Sequence, residues 1–291
     1  MAKDVNSDLT NLMDLLDEQD ESLFEKIGET IISYGVKAIP FLENISENSL
    51  DDLVQSRALT LISKIRIHNL YSELHNWATL DSKDLLKGYF IISKYLFPDV
   101  EEKSVMAKVE ALKKEVWLEL KKGMTPFEEL TVISKIFFEV RKFSFNGNAS
   151  SIPDCLCLNA VLNTGKGHPD SFAMLYTGIA QRLGIPVYGS CLKENMFLTY
   201  VYSGDSLELD LRNDVKFYIN PMCAGLFFPL TVIKKELEED HPDEIEIFSG
   251  ACTNAKFIYK LLNVFKQHYT KKMRPDKAED IKVLMSALGI E

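Results

Sequence analysis

The sequence predicts an α+β protein in which an all-helical N-terminal part precedes a part that contains a small antiparallel sheet. Three observations lead to this fold class. Residues 1–98 show apolar residues at helical spacing and no segment with a period of two. Between residues 186 and 221 the period falls to two in three short segments rich in β-branched and aromatic residues. No helical segment separates these strands, so we expect them to be antiparallel, and helices return after them.

The first predicted domain, residues 1–98, consists of amphipathic helices. The segment "ESLFEKIGETIISYG" carries an apolar stripe and ends at Gly35, and "SLDDLVQSRALTLISKIRI" repeats the pattern. The stripes comprise Leu23, Phe24, Ile27, Ile31 and Tyr34, and then Leu50, Leu53, Val54, Leu61, Ile62 and Ile65. An acidic start, an amphipathic helix, a glycine and a second helix are typical of HEAT-type pairs, of which about one and a half copies are visible. A plain helical bundle is the alternative interpretation.

The second predicted domain, residues 99–291, begins with a long helix at about 100–122. The next helix has a capping box, in which Thr125 is the N-cap and Glu128 lies three residues later. Pro126 suits the first helical position, because proline lacks the N–H that would be unpaired there. A short helix is predicted at "LNAVLN".

The stretch "KGHPDSFAMLYTGIAQRLGIPVYG", residues 166–189, predicts one amphipathic helix from Pro169 to about Leu183, followed by a strand. We expect Gly184 to end this helix. Its apolar stripe is interpreted as protein core: Phe172, Leu175, Tyr176, Ile179 and Leu183. The segments "PVYGSCL", "MFLTYVYS" and "VKFYINP" are the predicted strands, and "PLTVIKKELEED", "TNAKFIYKLLNVFKQHY" and "KAEDIKVLMSAL" are predicted helices.

Composition and charge exclude several classes of protein. The chain has 291 residues, 46% hydrophobic and 26% charged, and a net charge of −10, which argues against nucleic acid or an anionic membrane surface as a partner. The first residues lack the apolar region of a signal peptide, and no run approaches the ~18 apolar residues of a membrane span. Five cysteines and scattered histidines suggest reduced thiols without a metal site. We therefore expect a cytoplasmic protein that needs no metal and no organic cofactor.

Several motifs, taken together and in order, resemble the transglutaminase-like superfamily, whose domain is papain-like. The motifs are "FNGN" at 145–148, "LNAVLNTGKGHPDS" at 158–171, "AQRLGIPVYG" at 180–189, "LKENMFLTY" at 192–200 and "FYINPMCAG" at 217–225. The closer resemblance is to its bacterial SirB1-like branch, and it extends to the helical stretch 18–100 and to the tail "CTNAKFIYKLLNVFKQHY". The resemblance implies one helix packed across a small antiparallel sheet.

The resemblance also implies a catalytic triad whose positions are substituted in this chain. Active members place a cysteine at the helix N-terminus, a histidine on the next strand and an aspartate on a following strand. These positions correspond to Pro169, Asn195 and Asn220. Proline carries no nucleophile and asparagine does not titrate, so none of the three chemical roles is present. The resemblance thus implies a non-catalytic binding or scaffold protein of the bacterial cytosol, with an unknown protein or peptide partner.

Three neighbours of Pro169 complete the candidate cleft: His168, Asp170 and Ser171. We interpret Ser171 as a capping or packing serine, His168 as a loop residue, and Asp170 as a carboxylate favoured by the helix dipole. The rival hypothesis is an amidase, peptidase or acyl-transferase with a relocated nucleophile. Ser171, or Cys157 or Cys191 together with His168 and Asp170, would then act, although small buried cysteines are commoner than nucleophilic ones. A third hypothesis assigns the function to the helical domain and only support to the second.

Overall fold

The structure is a computed structural model of the chain. The residues that it describes are 5–145, 153–190, 197–202, 210–211, 214–220, 225–229, 231–232, 235 and 250–290. Among these residues no helix is long and apolar enough to cross a membrane.

The chain packs as two compact units, Met1–Glu73 and Leu74–Glu291. This division describes packing, and the predicted domains 1–98 and 99–291 stay a prediction. The helices of the first unit are α1 (Val5–Met13), α2 (Glu21–Ser33), α3 (Ile39–Asn48) and the first part of α4 (Asp52–Leu80), with a short 3₁₀ turn at Gly35–Ala38. Their apolar faces form one core, which includes Leu9, Leu16, Ile31, Leu42, Leu61 and Ile65.

The second unit contains the remaining helices around a sheet. Among the described residues these are the end of α4, α5 (Leu85–Ser93), α6 (Glu102–Glu119), α7 (Pro126–Ser134), α8 (Leu158–Thr164), α9 (Pro169–Arg182), α10 (Asn254–Lys271) and α11 (Pro275–Ser286). A π-helical segment, Lys135–Val140, follows α7, and a 3₁₀ turn, Asp154–Leu156, precedes α8. The predicted capping box at the start of α7 is confirmed. The main-chain N–H of Glu128 donates to the Thr125 hydroxyl, and the Glu128 carboxylate accepts from the Thr125 main-chain N–H at 2.7 Å. This pairing satisfies two N–H groups that a helix start would otherwise leave without partners.

The main sheet is antiparallel, as the sequence predicted. Its strands are β3 (Val187–Ser190), β4 (Leu198–Val201), β5 (Val215–Asn220), β6 (Leu226–Pro229) and β7 (Ala251–Cys252), in the order β6-β5-β4-β3-β7. A separate pair, β1 (Ser144–Phe145) and β2 (Lys166–Gly167), is parallel. The sequence did not predict β6 or β7, and most of the helix expected after Pro229 lies outside the described residues.

Helix α9 lies at the centre of the second unit. It begins at Pro169 and ends beside Gly184, whose φ of +76° is the left-handed conformation that glycine adopts readily at a helix end. Helices α5, α6 and α8 and strand β3 all pack against it. Every residue from Asp170 to Ala180 is consequently buried. The prediction of an amphipathic helix was therefore wrong: α9 has no solvent face over these residues, and its polar residues are enclosed with the apolar ones.

Candidate functional site

The candidate site begins at the first turn of α9, where the backbone changes from extended to helical. His168 is the N-cap residue, with φ −75° and ψ 151°, and Pro169 follows at the first helical position. The His168 Nδ1 atom accepts a hydrogen bond from the main-chain N–H of Asp170 at 3.3 Å. The imidazole thus has the role of a capping side chain, which serine, threonine and aspartate fill more often.

The Asp170 carboxylate turns back toward the same imidazole. Its Oδ2 atom lies 3.2 Å from His168 Nδ1, and the residue as a whole is 9% exposed. The two contacts of Nδ1 require different protonation states, because only an unprotonated nitrogen accepts from an N–H and only a protonated one donates to a carboxylate. Nδ1 therefore makes one of these contacts at a time: it either caps the helix or donates to the Asp170 carboxylate.

Ser171 points into the protein interior. It is fully buried, and its hydroxyl donates to the Cys155 carbonyl oxygen at 2.6 Å. That carbonyl also accepts from the main-chain N–H of His168 at 3.0 Å. Ser171 therefore ties the first turn of α9 to the segment before α8, as expected of a packing serine, and its hydroxyl does not bond to His168.

The cysteines near the start of α9 are shielded from solvent. Cys155 and Cys157 are free thiols and both are buried. Burial raises the pKa of the Cys155 thiol, and it raises the pKa of Cys157 further, with the nearby Asp154 carboxylate acting in the same direction. Because the thiolate is the nucleophilic form, these surroundings suppress nucleophilic reactivity at neutral pH. Cys191, the other cysteine considered for a relocated triad, lies outside the described residues.

Tyr89 brings a buried hydroxyl into this region that the sequence did not indicate. Burial raises its pKa well above the ordinary value, and a weaker interaction with Ser171 opposes that effect. The interaction with Ser171 lacks hydrogen-bond geometry, since the Tyr89 hydroxyl has no hydrogen-bond partner within the part of the chain that is described. No sequence signal distinguishes this tyrosine, because it lies within the apolar run of α5 and its neighbours there are also buried.

Asn220 is the last residue of β5. Its side chain is half-buried, its Cα pairs with that of Leu226, and its carbonyl oxygen accepts from the Gly225 N–H at 3.1 Å. Asn195 lies outside the described residues. The predicted closeness of Asn195 to Pro169 and to Asn220 therefore stays a prediction. The structure does bring His168, Pro169, Asp170 and Ser171 together in one helix turn.

Metal-ligating side chains do not gather at this site. Across the described ranges, no three histidine, cysteine, aspartate or glutamate residues lie close enough to hold one ion. The expectation that the protein needs no metal or organic cofactor stays a prediction.

Comparison with known proteins adds one finding. The sequence profile of the transglutaminase-like superfamily matches residues 103–263, which is more than half of the chain. The match includes the whole of α9 and the strands β3, β4, β5, β6 and β7. The searches of curated proteins and of solved structures returned no significant match. On the strength of the profile match, the chain belongs to the transglutaminase-like superfamily.

Proposed function

We propose that the protein is a non-catalytic, transglutaminase-like binding module of the SirB1-like branch. The proposal depends on one observation above all: Pro169 occupies the first helical position of α9, where the family resemblance expects a nucleophilic cysteine. The corresponding histidine and aspartate positions hold Asn195 and Asn220. With no nucleophile and no titratable partner, this set of residues lacks the groups that acyl transfer requires.

The same three positions suit binding without chemistry. Each asparagine amide offers two N–H donors and a carbonyl acceptor, which match a peptide bond or another neutral polar group. The first turn of α9 adds the positive end of the helix dipole, although proline removes one of its N–H groups. The His168 side chain, 25% exposed, is available at the edge of this turn. The proposed ligand is therefore a peptide or a small polar molecule held by amide hydrogen bonds.

The contacts of Ser171 and the cysteines disfavour a relocated nucleophile. The Ser171 hydroxyl donates to a main-chain carbonyl, so no base removes its proton, and His168 contacts Asp170 instead. Cys157 lies in surroundings that raise its thiol pKa. An amidase or acyl-transferase built on either residue would need the first turn of α9 to rearrange.

We further propose that the N-terminal helices form a HEAT-like array that binds a partner. They form their own core. The negative net charge fits a protein partner better than nucleic acid. We propose that the protein resides in the bacterial cytosol, where the buried thiols of Cys155 and Cys157 would remain reduced.

Alkylation by iodoacetamide tests whether any cysteine is activated. The native protein is labelled at neutral pH and the modified cysteines are identified by peptide mass spectrometry. We expect every cysteine to react no faster than a free thiol, and Cys155 and Cys157 to react more slowly until urea unfolds the chain. A cysteine that reacts about tenfold faster than free thiol would contradict the non-catalytic proposal.

A reconstructed triad tests the assignment of positions. The triple change Pro169→Cys, Asn195→His and Asn220→Asp is compared with Pro169→Cys alone at about pH 6, where an unassisted thiol is almost fully protonated. We expect the triple variant to be alkylated about tenfold faster, since a larger thiolate fraction outweighs the lower nucleophilicity of a more acidic thiol. Equal rates in the two variants would show that Asn195 and Asn220 do not correspond to the family's histidine and aspartate.

A further inference from the structure

A cavity of about 740 Å³ opens between the first turn of α7 and the sheet, and none of the residues proposed for the cleft at the start of α9 lines it. We name it the aromatic pocket. Its lining residues are Pro126, Phe127, Tyr200, Tyr202, Lys216, Phe217, Phe227, Phe228 and Pro229. Small-molecule sites usually have volumes of about 300–1,000 Å³ and mainly apolar linings, so this cavity has the size and the lining of such a site.

Local structure fixes the positions of the rings. Phe127 follows Pro126 in the first turn of α7, which the capping box of Thr125 and Glu128 holds in place. On the sheet, Tyr200 of β4 pairs directly with Phe217 of β5. Directly paired residues present their side chains on the same face of a sheet. The pocket is thus built on a capped helix turn and three neighbouring strands, β4, β5 and β6.

The rings meet both in parallel and at right angles. Phe217 stacks with Phe127 at 4.5 Å between ring centroids and with Tyr200 at 5.1 Å, with interplanar angles of 16° and 5°. Phe227 stands nearly perpendicular to Phe127 and to Phe217, at 87° and 86°. These are the two arrangements that aromatic rings prefer with one another. A further flat ring that enters the pocket would therefore find both stacking and edge partners.

Two of the lining rings remain half exposed. Phe127 is 50% exposed and Tyr202 is 52% exposed, whereas Tyr200 and Phe217 are each 7% exposed. Removing apolar surface from water is favourable by about 25 cal/mol per Å² of buried area. The exposed parts of these two rings do not yet gain that stabilisation. Because the exposed rings adjoin a concave space rather than standing alone, a bound molecule would cover them.

The charge at the pocket favours an anion. Among the described residues that line the pocket, Lys216 is the one that carries a charge. It is exposed, and it has no ion-pair partner among the residues that the structure describes. Burial raises the pKa of the Tyr200 hydroxyl, and the nearby Glu129 carboxylate acts in the same direction, but Glu129 is not one of the lining residues. A carboxylate on the ligand would therefore meet an available ammonium group.

We propose that the aromatic pocket binds a small aromatic acid, with the ring against the half-exposed Phe127 and Tyr202 and the carboxylate toward Lys216. This site does not rest on the proposed function, because it uses none of Pro169, Asn195 and Asn220. The protein can bind an aromatic acid here whether or not α9 takes part in catalysis.

Calorimetric titration of the full chain with three probes tests the ligand class. Indole-3-acetate carries both a ring and a carboxylate, tryptamine replaces the carboxylate by an ammonium, and cyclohexylacetate keeps the carboxylate without an aromatic ring. We expect indole-3-acetate to bind in saturable fashion and about tenfold more tightly than either comparison compound. Absence of saturable binding, or equal affinity for cyclohexylacetate, would overturn the proposal of an aromatic ligand. Tighter binding of tryptamine would overturn the proposal of an acid.

Substitutions test whether indole-3-acetate binds in the aromatic pocket. Phe127→Ala should weaken indole-3-acetate binding about tenfold, and Tyr202→Ala provides a second half-exposed ring in case the first variant fails to fold. Trp117→Ala is the matched control, since Trp117 is 62% exposed and does not line the pocket. Lys216→Gln should reduce the preference for indole-3-acetate over tryptamine several-fold. Equal effects of Phe127→Ala and Trp117→Ala would show that the probe binds exposed aromatic surface in general, and the pocket would be excluded as its site.

Discussion

The start of α9 and the aromatic pocket use their side chains in opposite ways. At the start of α9, Asp170 and Ser171 are buried and bonded within the protein, and the thiols nearby are shielded from solvent. At the aromatic pocket, apolar rings adjoin an open space of about 740 Å³. Around the position where the family resemblance expects a nucleophile, side chains are therefore engaged in internal contacts, whereas the pocket that we propose for a ligand lies on α7 and the sheet. Fold membership alone does not tell where a chain of this family interacts with its ligands.

The largest expected effect concerns the buried tyrosines of the second unit. Burial raises the pKa of Tyr89 and of Tyr176, and it raises the pKa of Tyr269 to about 12. In the unfolded chain these hydroxyls ionise near pH 10, so above that pH the folded state binds more protons than the unfolded state and the free energy of unfolding falls. We expect a loss of roughly 3 kcal/mol or more by about pH 12, measured by urea unfolding at increasing pH.

Tyrosinate absorbance recorded in the same titration tests how well these hydroxyls are enclosed. The fully buried Tyr89 and Tyr176 should ionise only as the circular dichroism signal is lost. If all tyrosines ionised while the fold persisted, the hydroxyls around α9 would be accessible to water, and the contrast between the two regions would fail.

The second prediction tests how closely α9 is packed. A Cβ atom at Gly178 would lie 2.3 Å from Cγ of Leu86, a side chain that is fully buried. Gly178→Ala should therefore lower the free energy of unfolding by about 2–3 kcal/mol, despite the better helix propensity of alanine. Gly28→Ala is the matched control in helix α2, because a Cβ atom there meets only Cδ2 of Leu61, at 3.2 Å.

The free energies of unfolding of the two glycine variants are measured by urea denaturation. Gly28→Ala should leave the free energy of unfolding unchanged or raise it by up to about 1 kcal/mol. A Gly178→Ala protein as stable as the control would mean that α5 and α9 can separate readily, and that space exists near the candidate site after all.

Features governed by local rules were predictable from the sequence. The capping box needs only Thr125 and Glu128 at their spacing, and the limits of α9 follow from Pro169 and Gly184. The solvent exposure of individual side chains was less predictable, because it depends on residues that are distant in the chain. Leu50 and Leu53 belong to the predicted apolar stripe, yet they are 102% and 42% exposed.

The pocket could not be predicted for the same physical reason. Phe127, Tyr200 and Phe217 are far apart in the sequence, and each looks like an ordinary core residue in its own segment. Only the pairing of β4 with β5, and the packing of α7 over them, brings the rings together. Likewise, the polar residues Asp170, Ser171 and Thr177 gave α9 an amphipathic pattern, although packing on all sides buries them.

The third prediction separates a structural serine from a nucleophile. Ser171→Ala removes the hydrogen bond to the Cys155 carbonyl, which keeps its second donor, the N–H of His168. We expect the free energy of unfolding to fall by about 1 kcal/mol in urea unfolding, with no change in any binding activity. Ser286→Ala is the control, since the exposed Ser286 makes a similar bond to the Val283 carbonyl and should cost less than about 0.5 kcal/mol. Loss of a measured hydrolytic activity in Ser171→Ala alone would support the relocated-nucleophile hypothesis instead.

The smallest effect is expected at the helix turn that carries Phe127. Thr125→Ala removes the side chain that accepts from the Glu128 N–H, and such caps contribute about 1 kcal/mol. The turn is exposed and Phe127 keeps its stacking partner Phe217, so we expect the cost in global stability to be about 0.5–1 kcal/mol.

The informative readout of Thr125→Ala is the affinity of the aromatic pocket. Fraying of the first turn would let Phe127 leave its stacked position, and indole-3-acetate should then bind about two- to threefold more weakly, while Thr125→Ser should restore both quantities. A fall in affinity as large as that of Phe127→Ala would mean that the cap holds the whole wall of the pocket. An unchanged affinity would mean that the stacking of Phe127 on Phe217 fixes the ring without help from the cap. In either case the site at the start of α9 should be unaffected, because its capping residue is His168 and its bonds run to Cys155.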